Sequence, residues 1–215
     1  MNKNCENILE GLIKRIPELC VCKADIVQSF ELLIKCFRSG GKLLIAGNGG
    51  SCADAEHIAG ELMKGFMKKR ELSKDLQAEL VKVDNEIGSV LSKKLQRGVP
   101  VISLSNHQGL NTAFNNDVEN GGECTFAQQV GVYGNKNDVF LGISTSGNSK
   151  NILMAAVVAR AKKLSVISLT GEKGGRLASF ADVSIKAPSN ETYLVQEYHL
   201  PIYHCLCLMI EEELF

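Results

Sequence analysis

The stretch Leu44-Ile-Ala-Gly-Asn-Gly-Gly-Ser51 decides how the rest of the chain is read. An apolar run that meets glycines and then a helix-starting serine has the pattern of a buried strand turning directly into a helix. In parallel α/β sheets ligands bind outside the carboxyl ends of the strands, so this junction is where a site is expected. Its glycines let the backbone turn sharply and approach an anion, while the helix start supplies unpaired N–H groups and a favourable dipole. The stretch is not a dinucleotide fingerprint, because Cys52 stands where G-x-G-x-x-G needs its third glycine and no acidic residue ends the next apolar run at Leu104-Ser105. The Walker pattern is absent as well. Taken alone, the turn is as compatible with a purely structural role as with phosphate binding.

Outward from this junction, short apolar runs recur at Lys42–Ala46, Val101–Leu104, Val139–Ile143, Val166–Leu169 and Val183–Ile185, each ahead of a polar loop. Helical stretches at Ser51–Lys68, Asn151–Lys163, Gly175–Phe180 and Tyr193 to about Leu214 alternate with them. That order predicts an α/β fold, a three-layer sandwich with a central five-stranded parallel sheet flanked by helices. Residues 1–40 form an N-terminal helical extension. Ile8, Leu12 and Ile13 precede Pro17, while Ile26, Phe30, Leu33, Ile34 and Phe37 share a face that stops at Gly40-Gly41. Between residues 68 and 97 Leu72, Leu76, Leu80, Val83, Ile87, Leu91 and Leu95 recur every three or four residues, which predicts one inserted amphipathic helix. It packs on its own subunit, meets another, or covers a site; periodicity does not choose.

A second junction, Leu141-Gly-Ile-Ser-Thr-Ser-Gly-Asn-Ser-Lys150, also follows a strand and opens a helix. Ser144, Thr145, Ser146 and Ser149 are four hydroxyls at one helix start, where an ordinary N-cap needs one. Neutral donors in that arrangement encircle phosphate oxygens without an Arg or Lys cluster. Just past the first junction, His57 and Glu61 are four residues apart and share a helix face. That spacing suits either a solvated pair or a reactive one. The closing helix sets Gln196, Glu197, His199 and His204 among apolar residues, and buried polar groups need partners.

The bulk numbers agree with a single domain spanning residues 1–215. Apolar residues make up 45% and charged residues 22%, the composition of a soluble globular protein. Lys plus Arg equals Asp plus Glu, 24 each, so no net field favours nucleic acid or a membrane surface, and an anion must be recognised locally. No apolar run approaches the roughly 20 residues that span a bilayer, and Met1–Arg15 lacks a secretory core, which leads to the expectation of a cytoplasmic protein. The eight cysteines include the C-x-C pairs Cys20/Cys22 and Cys205/Cys207 but no C-x-x-C, and read as reduced small hydrophobes.

Gly47-Asn-Gly-Gly-Ser51, His57-x-x-x-Glu61, Gly142-Ile-Ser-Thr-Ser-Gly-Asn-Ser149, Leu169-Thr-Gly171 and Gln196-Glu-x-His199 followed by His204 together resemble phosphoheptose isomerases, a family of the sugar isomerase (SIS) fold. The resemblance covers nearly the whole chain except the 68–97 insert. It implies conversion of sedoheptulose 7-phosphate to D-glycero-D-manno-heptose 7-phosphate through an enediol, for activated heptoses of surface glycans such as lipopolysaccharide or capsule. It further implies sugar-phosphate binding by Asn48, Gly49, Gly50, Ser51, Asn116, Asp117, Ser144, Thr145, Ser146, Ser149 and Gln196. Zinc ligands match His57, Glu61, Gln196 and His204, with Glu61 as base and His204 as acid. The resemblance also implies a homotetramer.

Ketose–aldose exchange needs both a base beside the carbonyl and an acid at its oxygen, which those residue types provide. A non-catalytic SIS protein that senses a phosphosugar or docks on a protein would need the serine loop but not the Glu/His pair. An isomerase acting on another ketose phosphate would need both. Gln196 and His204 lie eight residues apart, roughly 12 Å along a helix, with Pro201 between them expected to bend it.

Overall fold

The computed structural model describes all 215 residues, Met1–Phe215. Helices α1 (Lys3–Arg15) and α2 (Lys23–Arg38), joined by a 3-10 segment that starts at Pro17, lead into strand β1 (Leu43–Ala46). There follow α3 (Gly50–Met63), the short helices α4 (Lys74–Val83) and α5 (Asn85–Lys94), and β2 (Val101–Ser103). The remainder is α6 (Gln108–Asp117), α7 (Gly121–Tyr133), β3 (Val139–Ile143), α8 (Lys150–Ala161), β4 (Ser165–Gly171), β5 (Val183–Ala187) and α9 (Thr192–Leu214). The strands form one parallel sheet in the order β2-β1-β3-β4-β5. From β1 the chain first moves outward to β2 and then crosses to the other side of β1 to form β3. The boundary between β1 and β3 is therefore the topological switch point, where the loops after two neighbouring strands diverge and leave a crevice.

Alternation along the strands sorts the two faces. Leu43, Ile45, Val139, Leu141, Ile167 and Ile185 face a thick apolar layer made by α1, α2, α3 and α9. Leu44, Ala46, Phe140 and Val166 face the opposite layer, where α7 contributes Phe126 and Val130 and α8 contributes Ile152, Ala155, Ala156 and Ala159. Strands covered on both faces read as continuous apolar runs, which explains why those runs stood out in sequence.

The structure departs from the sequence reading in two places. The 68–97 segment is a helical hairpin, not one helix. Asp84 leaves helical geometry at φ −152°, ψ 121°, ends α4, and caps α5 by accepting a hydrogen bond from the Ile87 N–H (2.7 Å). The Asp84 cap satisfies one orphan N–H at the start of α5 as the chain turns back so that α4 and α5 pack on each other, while the leucine periodicity runs straight through the break. A bridge between Glu71 and Gln96 closes the base of the hairpin. Helices α6 and α7 occupy a stretch where apolar periodicity predicts no element. Helix α9 runs through the buried Pro201, and its packing against α1, α2 and α3 offsets the one backbone bond the proline removes.

Candidate active site

Both glycine- and serine-rich junctions lie at the switch point, after β1 and β3. The first starts α3 with Gly49 as N-cap in the left-handed region (φ +55°), and no side chain caps the helix. The second starts α8 with Ser149 as N-cap, but the Ser149 hydroxyl is not spent on the helix: it pairs with the buried Ser144 hydroxyl at 2.9 Å. Gly147 holds the intervening turn at φ +66°, where any side chain would run into the Gly174 carbonyl. At α3 the Ser51 and Cys52 N–H groups bond the Asn48 and Gly49 carbonyls, and at α8 the Ile152 N–H bonds the Asn151 side-chain oxygen, which leaves the Gly50 N–H and those of Lys150 and Asn151 free toward an anion. Asn48 and Asn151 tie the junctions together, each side-chain amide donating to the other's oxygen at 2.9 Å. Thr145 is half-buried beside this pair of loops and Ser146 is exposed, its hydroxyl accepting from the Asn148 N–H (3.2 Å).

A polar cavity of about 380 Å³ opens beside the first junction. Asn48, Gly49 and Cys52 line one side, while Ser105 after β2 and Asn111, Thr112 and Asn115 of α6 line the other. The Ser105 hydroxyl and the Asn111 side-chain oxygen are buried without a protein partner, so this wall carries unused hydrogen-bonding capacity. Asn116 and Asp117 end α6 on its solvent side, hydrogen-bonded to each other at 2.9 Å, and do not line the cavity. On a helix Asn111 and Asn115 share a face and the next two residues turn away from it. Sequence reasoning passed over Ser105, Asn111, Asn115 and Asn151. The strand-end rule would have found Ser105, and the four-residue spacing of Asn111 and Asn115 was available once α6 was known to be helical.

The ionisable residues collect farther along α3. The His57 Nε2 lies 3.4 Å from Glu61 Oε1 and 3.5 Å from His204 Nε2 on α9. The His57 Nδ1 lies 3.0 Å from the hydroxyl of the buried Tyr203, which in turn donates to Asp54 Oδ1 at 3.2 Å. Phe66 stacks at a tilt on His204, with 5.5 Å between ring centroids. Burial and the nearby His57 depress the His204 pKa, favouring its neutral ring. Burial raises the Asp54 pKa against the opposing bond from Tyr203.

Gln196 is placed elsewhere: its amide lies over Gly50 at the start of α3, so closely that a Cβ there would sit 2.7 Å from its Nε2. His57 is seven residues, or about 10 Å, farther along the same helix. None of His57, Glu61 and His204 lines the 380 Å³ cavity; they form an open rim along α3 from it, with His57 41% and Glu61 15% exposed.

The His57–Glu61 and His57–His204 spacings match the edge of a tetrahedron of N and O donors around zinc, about 3.3–3.5 Å for bonds near 2.0–2.1 Å. As placed, the three side chains do not converge on a single ion; Glu61 directs Oε1 to His57 and Oε2 to Lys64 at 3.1 Å. The donor chemistry and pairwise spacing fit a divalent cation; Gln196 stands two turns away.

Behind the cluster lies a fully buried ion pair. Arg70 and Glu211 are 1% and 2% exposed, with Arg70 Nε 2.8 Å from Glu211 Oε1. Arg70 also donates to the carbonyls of Leu62 (2.9 Å) and Glu61 (3.3 Å), while Glu211 accepts from the backbone N–H groups of Phe66, Met67 and Lys68. Burial raises the Glu211 pKa, but these donors outweigh it and leave the carboxyl below its usual range. The pair fastens the end of α3 to α9, and with it Glu61 to His204. His199 plays a different part: it is wholly buried, its Nε2 meets the Thr170 carbonyl at 3.2 Å, and burial lowers its pKa to about 4. It is a neutral core residue.

The SIS domain family matches residues 112–209. The chain is 41% identical over 183 residues to phosphoheptose isomerase 2 of Campylobacter jejuni, covering 85% of this chain and 77% of that one. It is 37% identical to the phosphoheptose isomerase of Aneurinibacillus thermoaerophilus, covering 100% and 96% respectively. Among solved structures, a phosphoheptose isomerase from Francisella tularensis superposes with a TM-score of 0.75 at 30% identity, covering 99% of this chain and 100% of that one.

Proposed function

The chain belongs to the phosphoheptose isomerase family, and from that premise we propose that it is an aldose–ketose isomerase converting sedoheptulose 7-phosphate to D-glycero-D-manno-heptose 7-phosphate for heptose biosynthesis. The observation that carries this reading is the placement, along one helix, of an anion-binding N-terminus and an acid–base cluster about 10 Å away. That separation suits a sugar chain with phosphate at one end and carbonyl at the other.

The phosphate sits against the N-termini of α3 and α8, with Ser144, Thr145, Ser146 and Ser149 donating to its oxygens. Asn48, Gly49, Gly50 and Ser51 make up the first junction, and Gln196 lies over Gly50 beside it. Asn116 and Asp117, at the edge of α6, reach the sugar only if that helix end turns inward. Glu61 removes a proton from C1 of the ketose as His204 donates a proton to the C2 carbonyl oxygen, which forms the enediol. Glu61 then returns the proton to C2 while His204 accepts the O1 proton, leaving the carbonyl on C1. His57, Glu61 and His204, with Gln196 a fourth candidate, would hold zinc or a similar divalent cation, and Glu61 would then act either as ligand or as base, and His204 either as ligand or as acid, at any one atom. When bound, it polarises the carbonyl and stabilises negative charge on the enediol oxygens.

The reading includes a homotetramer with sites near subunit contacts, supported by the exposed apolar side chains Met63 and Met67 next to the cluster and Ile87 and Val90 on the hairpin. It also includes a cytoplasmic location, supported by the eight cysteines, all free.

The test is turnover of sedoheptulose 7-phosphate by the purified protein with divalent metal, beside Glu61→Gln and His204→Asn. Loss of a general base or acid lowers kcat by about 10²–10⁴-fold. Wild-type rates in both variants would remove these roles, and binding without turnover by the wild type would favour a phosphosugar sensor.

A further inference from the structure

Tyr203 has one hydroxyl proton and two polar neighbours. Asp54 Oδ1, at 3.2 Å, belongs to a carboxylate and only accepts; His57 Nδ1, at 3.0 Å, either donates or accepts. The hydroxyl proton therefore goes to Asp54, and the hydroxyl oxygen is left to accept from a proton on His57 Nδ1. Asp54 has no other bond: its Oδ2 is buried without a partner, and it neither caps a helix nor pairs with a cation. A half-buried carboxylate whose only protein contact is one tyrosine hydroxyl is costly for stability alone. The family-derived roles use neither Asp54 nor Tyr203.

We propose that Asp54 and Tyr203 are positioning residues that hold His57 with its proton on Nδ1, so that the Nε2 lone pair faces Glu61 and His204 as a ligand for a divalent cation. This rests on the reading of that cluster as a cation site. With Nδ1 protonated, His57 Nε2 presents electrons to Glu61 Oε1 at 3.4 Å and His204 Nε2 at 3.5 Å. Electron-rich atoms at that distance attract one another only through a cation or proton between them. Without the relay, His57 is free to place its proton on Nε2 and bond Glu61 directly, which occupies the ligand atom. Hydrogen bonding at the far nitrogen is the general way in which a protein fixes the tautomer and orientation of a ligating histidine. Asp54 and His57 lie one turn apart on α3, so the relay needs only Tyr203 from α9 to close it.

The test compares wild type, Tyr203→Phe, Asp54→Ala and Asp54→Asn. Nitrogen-15 spectra of the metal-free proteins, at alkaline pH where the imidazoles are neutral, read the His57 tautomer. Competition with a chromophoric chelator reads Zn²⁺ affinity. The wild type shows Nδ1–H; Tyr203→Phe and Asp54→Ala shift toward Nε2–H and bind Zn²⁺ about 10- to 100-fold more weakly. Asp54→Asn, which still accepts from Tyr203, stays near wild type on both readouts. Nε2–H in the wild type, or an unchanged tautomer in both Tyr203→Phe and Asp54→Ala, overturns the proposal. A wild type that shows Nδ1–H but binds no Zn²⁺ overturns the cation reading instead, and the spectra still decide the positioning role. Asp54→Ala keeps the test open if Tyr203→Phe fails to fold, since Asp54 is only partly buried.

Discussion

Where the N-termini of α3 and α8 meet, the donors are backbone amides, a serine pair and two asparagine amides, all neutral, whereas two turns further along α3 the side chains are ionisable and backed by a buried ion pair. The first end is assembled from two short stretches, each contiguous in sequence, because a strand-to-helix junction creates its own N–H donors. The second joins α3 to α9, across more than 140 residues, and each of its charges must be oriented by something else. Dipoles fixed in the backbone need little support; ionisable groups near a core need a second layer of partners.

The sharpest way to break that contrast is Glu211→Gln. It leaves the Arg70 guanidinium buried without its counter-charge and loosens α3 from α9, with an expected cost of about 3–5 kcal/mol in denaturant unfolding. If the contrast holds, turnover falls while the affinity for inorganic phosphate, measured below the unfolding transition, stays close to wild type. A phosphate affinity that falls in step with turnover would show that the two ends are not separately supported.

The next effect is acid sensitivity through His199, which ties α9 to β4 between the two ends. Its folded pKa of about 4 lies below the ordinary 6.5, so the folded state binds this proton less readily than the unfolded chain. Its contribution is complete above 6.5 and is lost as pH falls from there toward 4. The loss amounts to about 3 kcal/mol. Glu211, with its lowered pKa, adds a further loss at more acidic pH. Unfolding measured against pH tests this: His199→Gln should remove the slope between 6.5 and 4, and an unchanged slope would assign it to other groups.

The smallest effect belongs to the phosphate end. Ser149→Ala removes one neutral hydroxyl that does not cap α8, so KM for the sugar phosphate rises about 5- to 10-fold, the worth of one hydrogen bond, with little change in melting temperature. A large fall in melting temperature would mean that the hydroxyl supports the helix after all.

The five strands and most of the long helices were legible in the sequence because each is coded locally, by apolar runs covered on both faces or by residues repeating every three or four. The hairpin was not read correctly, since Asp84 interrupts the helix without interrupting its leucine pattern. Helix α6 is polar along most of its length, and without apolar periodicity its asparagines gave no clue to which of them faces the cavity.

For the site, sequence alone located the two Gly/Ser-rich strand-to-helix junctions and the residue types of the His/Glu cluster, because both follow from short segments with fixed spacing. Only the tertiary structure decided that Asn48 meets Asn151, that His204 reaches His57 while Gln196 lies over Gly50, and that Tyr203 stands between His57 and Asp54. Those pairings depend on the relative rotation and axial position of packed helices, which the summed packing of many apolar side chains sets and no single segment encodes.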